Sequence, residues 1–247
     1  MGRKYAKPPI IEAVCEFRLT PQTQWDLTVP GLLYERLKHE FPHKEQRVLQ
    51  EVELTQGPEV IQQQIRTGER LLFFTGNKRM LVQVGTRLLA VHALAPYPNW
   101  EGFKPRIETS FKSLQDTVSI LWVERISLHY INRIKIPHQH PKLDEYLEFY
   151  PFIGSRLPTD TTSFLMGVEF SYTDGRDRCR VQLAPIPKSE TEGEAAFILE
   201  LEYFLARPGE VEAANALVWV EEAHSRVEEV FEGCITDNLR RLFEEVK

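Results

Sequence analysis

Residues Ile10 to Leu19, IIEAVCEFRL, alternate strictly: Ile11, Ala13, Cys15, Phe17 and Leu19 fall on one face, and Glu12, Val14, Glu16 and Arg18 on the other. Far down the chain, Ile126 to Ile136, ISLHYINRIKI, alternates again. A period of two is the mark of a strand with one side on a core and one on solvent. Superposing the two stretches without gaps matches Arg18 with Arg133, Val14 with His129 and Glu12 with Ser127, all on the same face.

The elements after each of these strands are alike too. After Pro21, Thr28 is a candidate N-cap, Pro30 suits a first turn, and Leu33, Leu37 and Phe41 recur at helical spacing. Short β-like runs come next, Glu59–Arg66, Leu71–Thr75, Arg79–Val84 and Arg87–Leu94, with turns expected at Thr67-Gly68, Gly76-Asn77 and Gly85-Thr86. Trp100, Phe103, Ile107, Phe111 and Leu114 then mark a helix on a sheet. In the second half a short helical segment is expected around Leu143–Leu147. Strands are expected at Phe164–Thr173, Arg178–Ala184 and Phe197–Phe204, with an Asp174-Gly175 turn and a polar loop, Ser189-Glu190-Thr191-Glu192-Gly193-Glu194. A long helix closes the half, its expected stripe being Ala213, Leu217, Val220, His224, Val227, Phe231 and Ile235. The order predicts an α+β fold: an internally duplicated antiparallel sheet with two long helices on one face and the other face open. That arrangement resembles a TATA-binding-protein-like or helix-grip fold. Residues 1–247 are then a single domain made of two pseudo-repeats, 1–120 and 121–247.

Charge narrows the partners. Residues 209–247 hold ten acidic and four basic side chains, the whole of the net charge of −6, and the other 208 residues carry 26 of each sign. The overall balance gives no support to general nucleic-acid binding, which needs a clustered basic surface. No apolar stretch approaches the ~20 residues that cross a bilayer, and the basic start (Arg3, Lys4, Lys7) runs into Pro8-Pro9 without the apolar centre of a secretory signal. A cytoplasmic location without membrane contact is expected. Cys15, Cys179 and Cys234 are odd in number and far apart, which fits small buried apolar side chains better than a disulfide framework or a zinc site.

Three constellations are candidates for function. On the polar face of the leading strands, Glu12, Glu16 and Arg18 with His129 and Arg133, joined by Glu200 and Glu202, form either a groove whose paired arginines hold a small anionic ligand or an ion-pair ladder across strands. On the last helix, Glu221, Glu222, Glu228 and Glu229 mark an acidic surface for a protein partner. Arg176, Arg178 and Arg180, alternating on one strand, form a local basic patch that a nucleic acid would use. His138-Gln139-His140, bracketed by Pro137 and Pro141, reads as a surface loop, and no metal site and no cofactor are expected. Nucleophile elbows, phosphate loops and metalloprotease helices do not occur in the sequence, and no catalytic residue is assigned.

Tyr5, Pro8-Pro9-Ile10, Glu12-Ala13-Val14, Glu16 and Arg18, the stretch Pro96-Tyr97-Pro98-Asn99-Trp100-Glu101-Gly102-Phe103, the strand Tyr130-Ile131-Asn132-Arg133-Ile134, and His224, Phe231-Glu232 and Ile235-Thr236 together resemble a sporadically distributed, uncharacterised bacterial protein family of about 250 residues. The resemblance spans nearly the whole chain. It implies no activity, cofactor or substrate, and its patchy distribution points to mobile or defence-associated genes. The expectation is a non-enzymatic binding or regulatory protein that engages a macromolecular partner. The alternatives are an enzyme or small-molecule sensor at the centre of the sheet and, more weakly, a nucleic-acid-binding module.

Overall fold

The computed structural model describes residues 3–56, 61–158, 163–187 and 193–246, and for residues 49–56 and 61–67 the backbone alone. Part of the expected strand Glu59–Arg66 and most of the acidic loop from Ser189 to Glu194 lie outside the described residues. The first half runs β1 (Lys4–Tyr5), β2 (Ile10–Leu19), α1 (Val29–Leu37), β3 (His43–Gln56), β4 (Ile61–Phe74), β5 (Met80–Gly85), β6 (Leu88–Leu94) and α2 (Trp100–Gln115). The second runs β7 (Trp122–Ile136), β8 (Met166–Tyr172), β9 (Asp177–Pro185), β10 (Ala195–Leu205), β11 (Val211–Glu212), α3 (Ala216–Cys234), α4 (Asp237–Leu242) and β12 (Glu245–Val246).

The two alternating strands meet. β2 and β7 pair antiparallel at the middle of one mixed-length sheet, whose order is β3-β4-β5-β6-β2-β7-β10-β9-β8, with β11 on the end of β7. All of its pairs are antiparallel. One sheet therefore crosses both halves, and the fold is α+β. Outward from β2 the strands run 6, 5, 4, 3; outward from β7 they run 10, 9, 8.

Alternation decides what each face does. Ala13, Cys15 and Phe17 of β2, Ile126, Leu128 and Tyr130 of β7, and Leu199, Leu201 and Tyr203 of β10 point to the helices and are buried. Phe103, Ile107, Phe111 and Leu114 of α2 meet them from above, as their spacing requires, and Phe17 stacks on Phe111 with ring centroids 4.3 Å apart. Burying side chains of this size contributes about 1.5–3 kcal/mol each. All three cysteines are buried and unpaired; burial pushes the thiols of Cys179 and Cys234 up to about 12.

Several local expectations are corrected. Thr67-Gly68 is not a turn, because β4 runs straight through it. Gly68 and Gly85 instead leave room for the flat-lying Arg70 side chain: a Cβ at either would sit 2.7 Å from Arg70 Nη1. β3 has mostly polar residues with no clean period, so the hairpin it forms with β4 is not visible in the apolar pattern. Leu143–Leu147 holds only the single 3₁₀ turn Leu143–Glu145. On α3 the buried face is wider than the expected stripe: of that stripe Val220 and Val227 are buried, as are Ala213 and Ile235 just outside the helix, and Ala216, Trp219, Ala223 and Cys234 are buried beside them, with the Trp219 indole donating to Asp177. Thr28 does not cap α1 with its side chain; Asp26 accepts from the Thr28 N–H and hydroxyl instead. No helix among the described residues is long and apolar enough to cross a membrane.

Candidate functional site

The face of the sheet away from the helices carries the polar half of every alternating strand, and the register fixes who meets whom. Across the centre stand Phe74, Leu81, His92, Val14, His129, Glu202, Arg180 and Glu169, one residue per strand from β4 to β8. One level away run Leu94, Glu12, Ile131, Glu200 and Gln182, and on the other side Ala90, Glu16, Ser127, Phe204 and Arg178. All six expected sheet-face residues, Glu12, Glu16, Arg18, His129, Arg133 and Glu200, lie on strands of this face.

They do not converge as two arginines around one anion. β2 and β7 are antiparallel, so Arg18 stands opposite Arg125, and Arg133 is eight positions further along β7, roughly 27 Å away at strand rise. Like charges directly opposite each other are unfavourable. The pair is resolved sideways: Arg18 Nε donates to Glu16 at 2.6 Å, and Arg125 Nη2 donates to Glu202 at 2.7 Å while its guanidinium lies 4.1 Å from the centre of the Phe204 ring. Glu202 also accepts from Arg180 at 3.4 Å, Arg180 binds Glu169 at 2.6 and 2.9 Å, and Arg178 reaches Glu169 at 3.2 Å. A chain of alternating charge, Arg125-Glu202-Arg180-Glu169-Arg178, therefore crosses four strands.

Two histidine–carboxylate pairs flank Val14. His92 Nδ1 lies 2.8 Å from Glu12, with His92 Nε2 buried and lacking a partner among the described residues, and His129 Nε2 lies 3.5 Å from Glu200. The hydrogen bond and charge of His129 hold the Glu200 carboxyl below the usual range against the opposing effect of burial. At Glu169 burial alone would raise the pKa, but Arg180 and then Arg178 outweigh it and lower it. Sequence reasoning misses His92, Arg125 and Glu169. His92 carries a signal, being the one polar residue of the apolar strand LLAVHAL; Arg125 and Glu169 become visible only through cross-strand register.

The other two constellations are divided by the fold. Arg178 and Arg180 share the open face, but Arg176 precedes β9 and turns to the buried Asp177 at 2.7 and 3.0 Å. On α3, Glu221 turns toward α2, accepting from Trp100 Nε1 at 3.4 Å and forming an ion pair with Lys104 at 2.7 Å. Glu228 is half-buried beside His224, and only Glu222 and Glu229 are exposed, Glu229 pairing with Arg226 at 3.1 Å. His138 and His140 are exposed, and no metal-binding cluster of His, Cys, Asp or Glu occurs among the described residues.

Beneath the helices a second polar cluster joins the separate sequence blocks. Tyr97 Oη is 3.2 Å from Tyr130 Oη, which is 3.2 Å from His224 Nδ1, and His224 Nε2 is 3.4 Å from Glu228. Trp100 stacks on the imidazole with centroids 3.9 Å apart. Burial lowers His224 to about 4, outweighing the charges of Glu221 and Glu101, so the ring is neutral near pH 7. Its Nδ1 then accepts from Tyr130 and its Nε2–H faces Glu228. Nearby, Tyr5 donates to Glu232 at 2.6 Å, and Arg240 Nε donates to the same carboxylate at 2.9 Å. This cluster ties α2, α3 and the sheet together. Comparison with family models, curated proteins and solved structures finds no match for the chain.

Proposed function

We propose that the chain is a non-enzymatic binding or regulatory protein that engages a macromolecular partner through the open face of its sheet. The observation that carries this reading is the charge chain from Arg125 to Arg178. Catalytic acids and bases need pKa values moved toward the working pH, whereas Glu169 and Glu200 are moved away from it, below the usual carboxylate range. Fixed, mutually braced charges on a broad surface suit recognition, where they set register and exclude wrong partners. The matching strand orders on either side of β2 and β7, each half ending in a long helix on the same face, support an internal duplication of the TATA-binding-protein-like or helix-grip kind. Such a duplication gives one extended face rather than two small ones.

A second reading rests on the two His–Glu pairs beside Val14: an enzyme or sensor of a small anion working at the sheet centre. The buried His92 Nε2, which has no partner among the described residues, favours it.

A pull-down from the native host, followed by mass spectrometry of protein and small-molecule co-purifiers, separates the readings. Reversing the face charges, Arg125→Glu with Arg180→Glu, is expected to release a protein partner, whereas Glu222→Lys with Glu229→Lys on α3 leaves it bound. A co-purifying anion lost in His92→Ala would favour the second reading. Salt-sensitive retention of DNA or RNA that depends on Arg178 and Arg180 would favour nucleic-acid binding instead.

A further inference from the structure

The two outer strands of the sheet are built differently. At the β3 edge the described side chains begin His43, Lys44, Glu45, Gln46, Arg47, a run of charge that discourages pairing with another chain. At the β8 edge the sequence is Met166-Gly-Val-Glu-Phe-Ser-Tyr172, with one charge, and that charge, Glu169, is tied back to Arg178 and Arg180. No strand among the described residues pairs with the outer side of β8. The helices do not cover it either: α3 packs on β7 and β10, so Val168 and Phe170, on the helix side of β8, remain 37% and 46% exposed. An open backbone edge with exposed apolar side chains is the form of strand that natural proteins otherwise protect.

We propose that β8 is a homodimer interface, pairing antiparallel with β8 of a second copy about a twofold axis at Val168. The sequence of β8 is self-complementary in this register. Val168 meets its own counterpart and Met166 meets Phe170 of the second copy, which closes the apolar side. On the other side Glu169 falls opposite Gly167, so the two glutamates do not face each other, as they would if the axis lay at Glu169. Gly167 has a further part in it. A Cβ there would meet Gln182 Cγ at 3.6 Å and its Nε2 at 3.8 Å, ordinary contact distances, so the glycine leaves the rim open to the Glu169 side chain of the second copy. An isologous contact of this kind closes on itself, which ends the edge rather than propagating it, and joins two sheets into one continuous open face.

The register makes the test specific. Sedimentation or light scattering on the full chain is expected to show the 28.8 kDa mass doubling with rising concentration, with a Kd at or below about 10 μM. Val168→Lys and Phe170→Lys, both at exposed positions, are expected to weaken dimerisation at least tenfold, while circular dichroism and the unfolding midpoint measured well below the Kd, where both chains are monomeric, stay unchanged. Val168→Cys places two thiols on the axis, where paired residues have Cβ atoms about 4.5–5.5 Å apart, and is expected to give a disulfide-linked dimer under mild oxidation. Phe170→Cys lies about 13 Å from its counterpart in this register and is not expected to do so. A chain that stays monomeric at several hundred micromolar overturns the proposal. So does a dimer indifferent to both lysine variants, or one that Phe170→Cys cross-links as readily as Val168→Cys.

Discussion

The carboxylate of Asp177 is wholly buried and accepts the indole N–H of Trp219 at 2.9 Å, so the first residue of β9 is pinned to the first turn of α3. Arg176 closes on the other oxygen at 2.7 Å and supplies the charge that makes burial of the carboxylate tolerable. A buried ion that loses its partner is costly, because the remaining group keeps its desolvation penalty without the compensating bond.

Asp177→Ala removes the acceptor from both groups and is expected to destabilise the fold by about 3 kcal/mol. Trp219→Phe keeps most of the apolar contact and loses the single bond, with an expected loss of about 1–2 kcal/mol. Urea unfolding followed by circular dichroism compares them. Equal losses in the two variants would show that packing of the indole, and not the carboxylate, holds α3 to β9.

Most of the sheet can be read from the sequence because its centre is made of strands with a clean period, β2 and β7, whose apolar faces have only one way to be buried. Their partners are legible less directly. β6 and β10 read as strands, but the register that puts Glu202 between Arg125 and Arg180 depends on antiparallel pairing of β10 with β7, in which Arg125 and Glu202 are 77 positions apart. No local pattern encodes that. The same register explains why Arg18 and Arg133, equivalent in the two alternating stretches, end up far apart: superposing two strands says which face a residue occupies and nothing of where along the pair it lies. On α3 the glutamates look like one solvated side, yet Glu221 pairs with Lys104 of α2 on tertiary grounds, and Glu228 meets His224 one turn earlier on the same helix.

Gly85 has Arg70 Nη1, Cζ and Cδ all within 2.7 to 2.9 Å of where a Cβ would stand, so the whole stem of the arginine blocks it. At Gly68 only Nη1 comes so close, and the flexible tip can move aside. Gly85→Ala is therefore expected to cost about 1–2 kcal/mol and Gly68→Ala less. Adding Arg70→Ala to Gly85→Ala is expected to recover part of the loss, read from thermal midpoints of the double-mutant cycle. Additive losses would show that Arg70 is not what excludes a side chain at 85.

Asn99 caps α2, its side chain accepting from the Gly102 N–H at 2.9 Å, and holds φ at 68° and ψ at 174°, a region that glycine alone enters freely. The two roles pull in different directions on substitution. Asn99→Gly gives up the cap and relieves the backbone, so a change of a few tenths of a kcal/mol is expected. Asn99→Ala gives up the cap and keeps the strain, and is expected to cost about 2 kcal/mol. The comparison is made by denaturant unfolding. If alanine is tolerated as well as glycine, the positive φ is not maintained by the fold.

His224 makes stability depend on pH in a predictable direction. Its folded-state pKa is lowered to about 4 by burial under Trp100 and α2, whereas the ring in the unfolded chain has the ordinary value near 6.5. Below that value the unfolded state takes up a proton that the folded state refuses, so the contribution is complete above pH 6.5 and is lost as pH falls toward 4. Between pH 7.5 and 5 this amounts to about 2 kcal/mol. Glu228 works the other way. Burial, with the charges of Glu232, Glu101 and Glu221, raises its pKa, so its neutral form is favoured in the fold and acidification restores part of the stability. The two are separated by His224→Phe, which keeps an aromatic ring against Trp100 and cannot titrate. The variant is expected to be less stable than wild type at pH 7.5, having lost the Tyr130 bond, and to close most of that gap at pH 5. Unfolding midpoints for both chains across this range give the measurement, and parallel profiles would mean that His224 is not buried as a neutral ring.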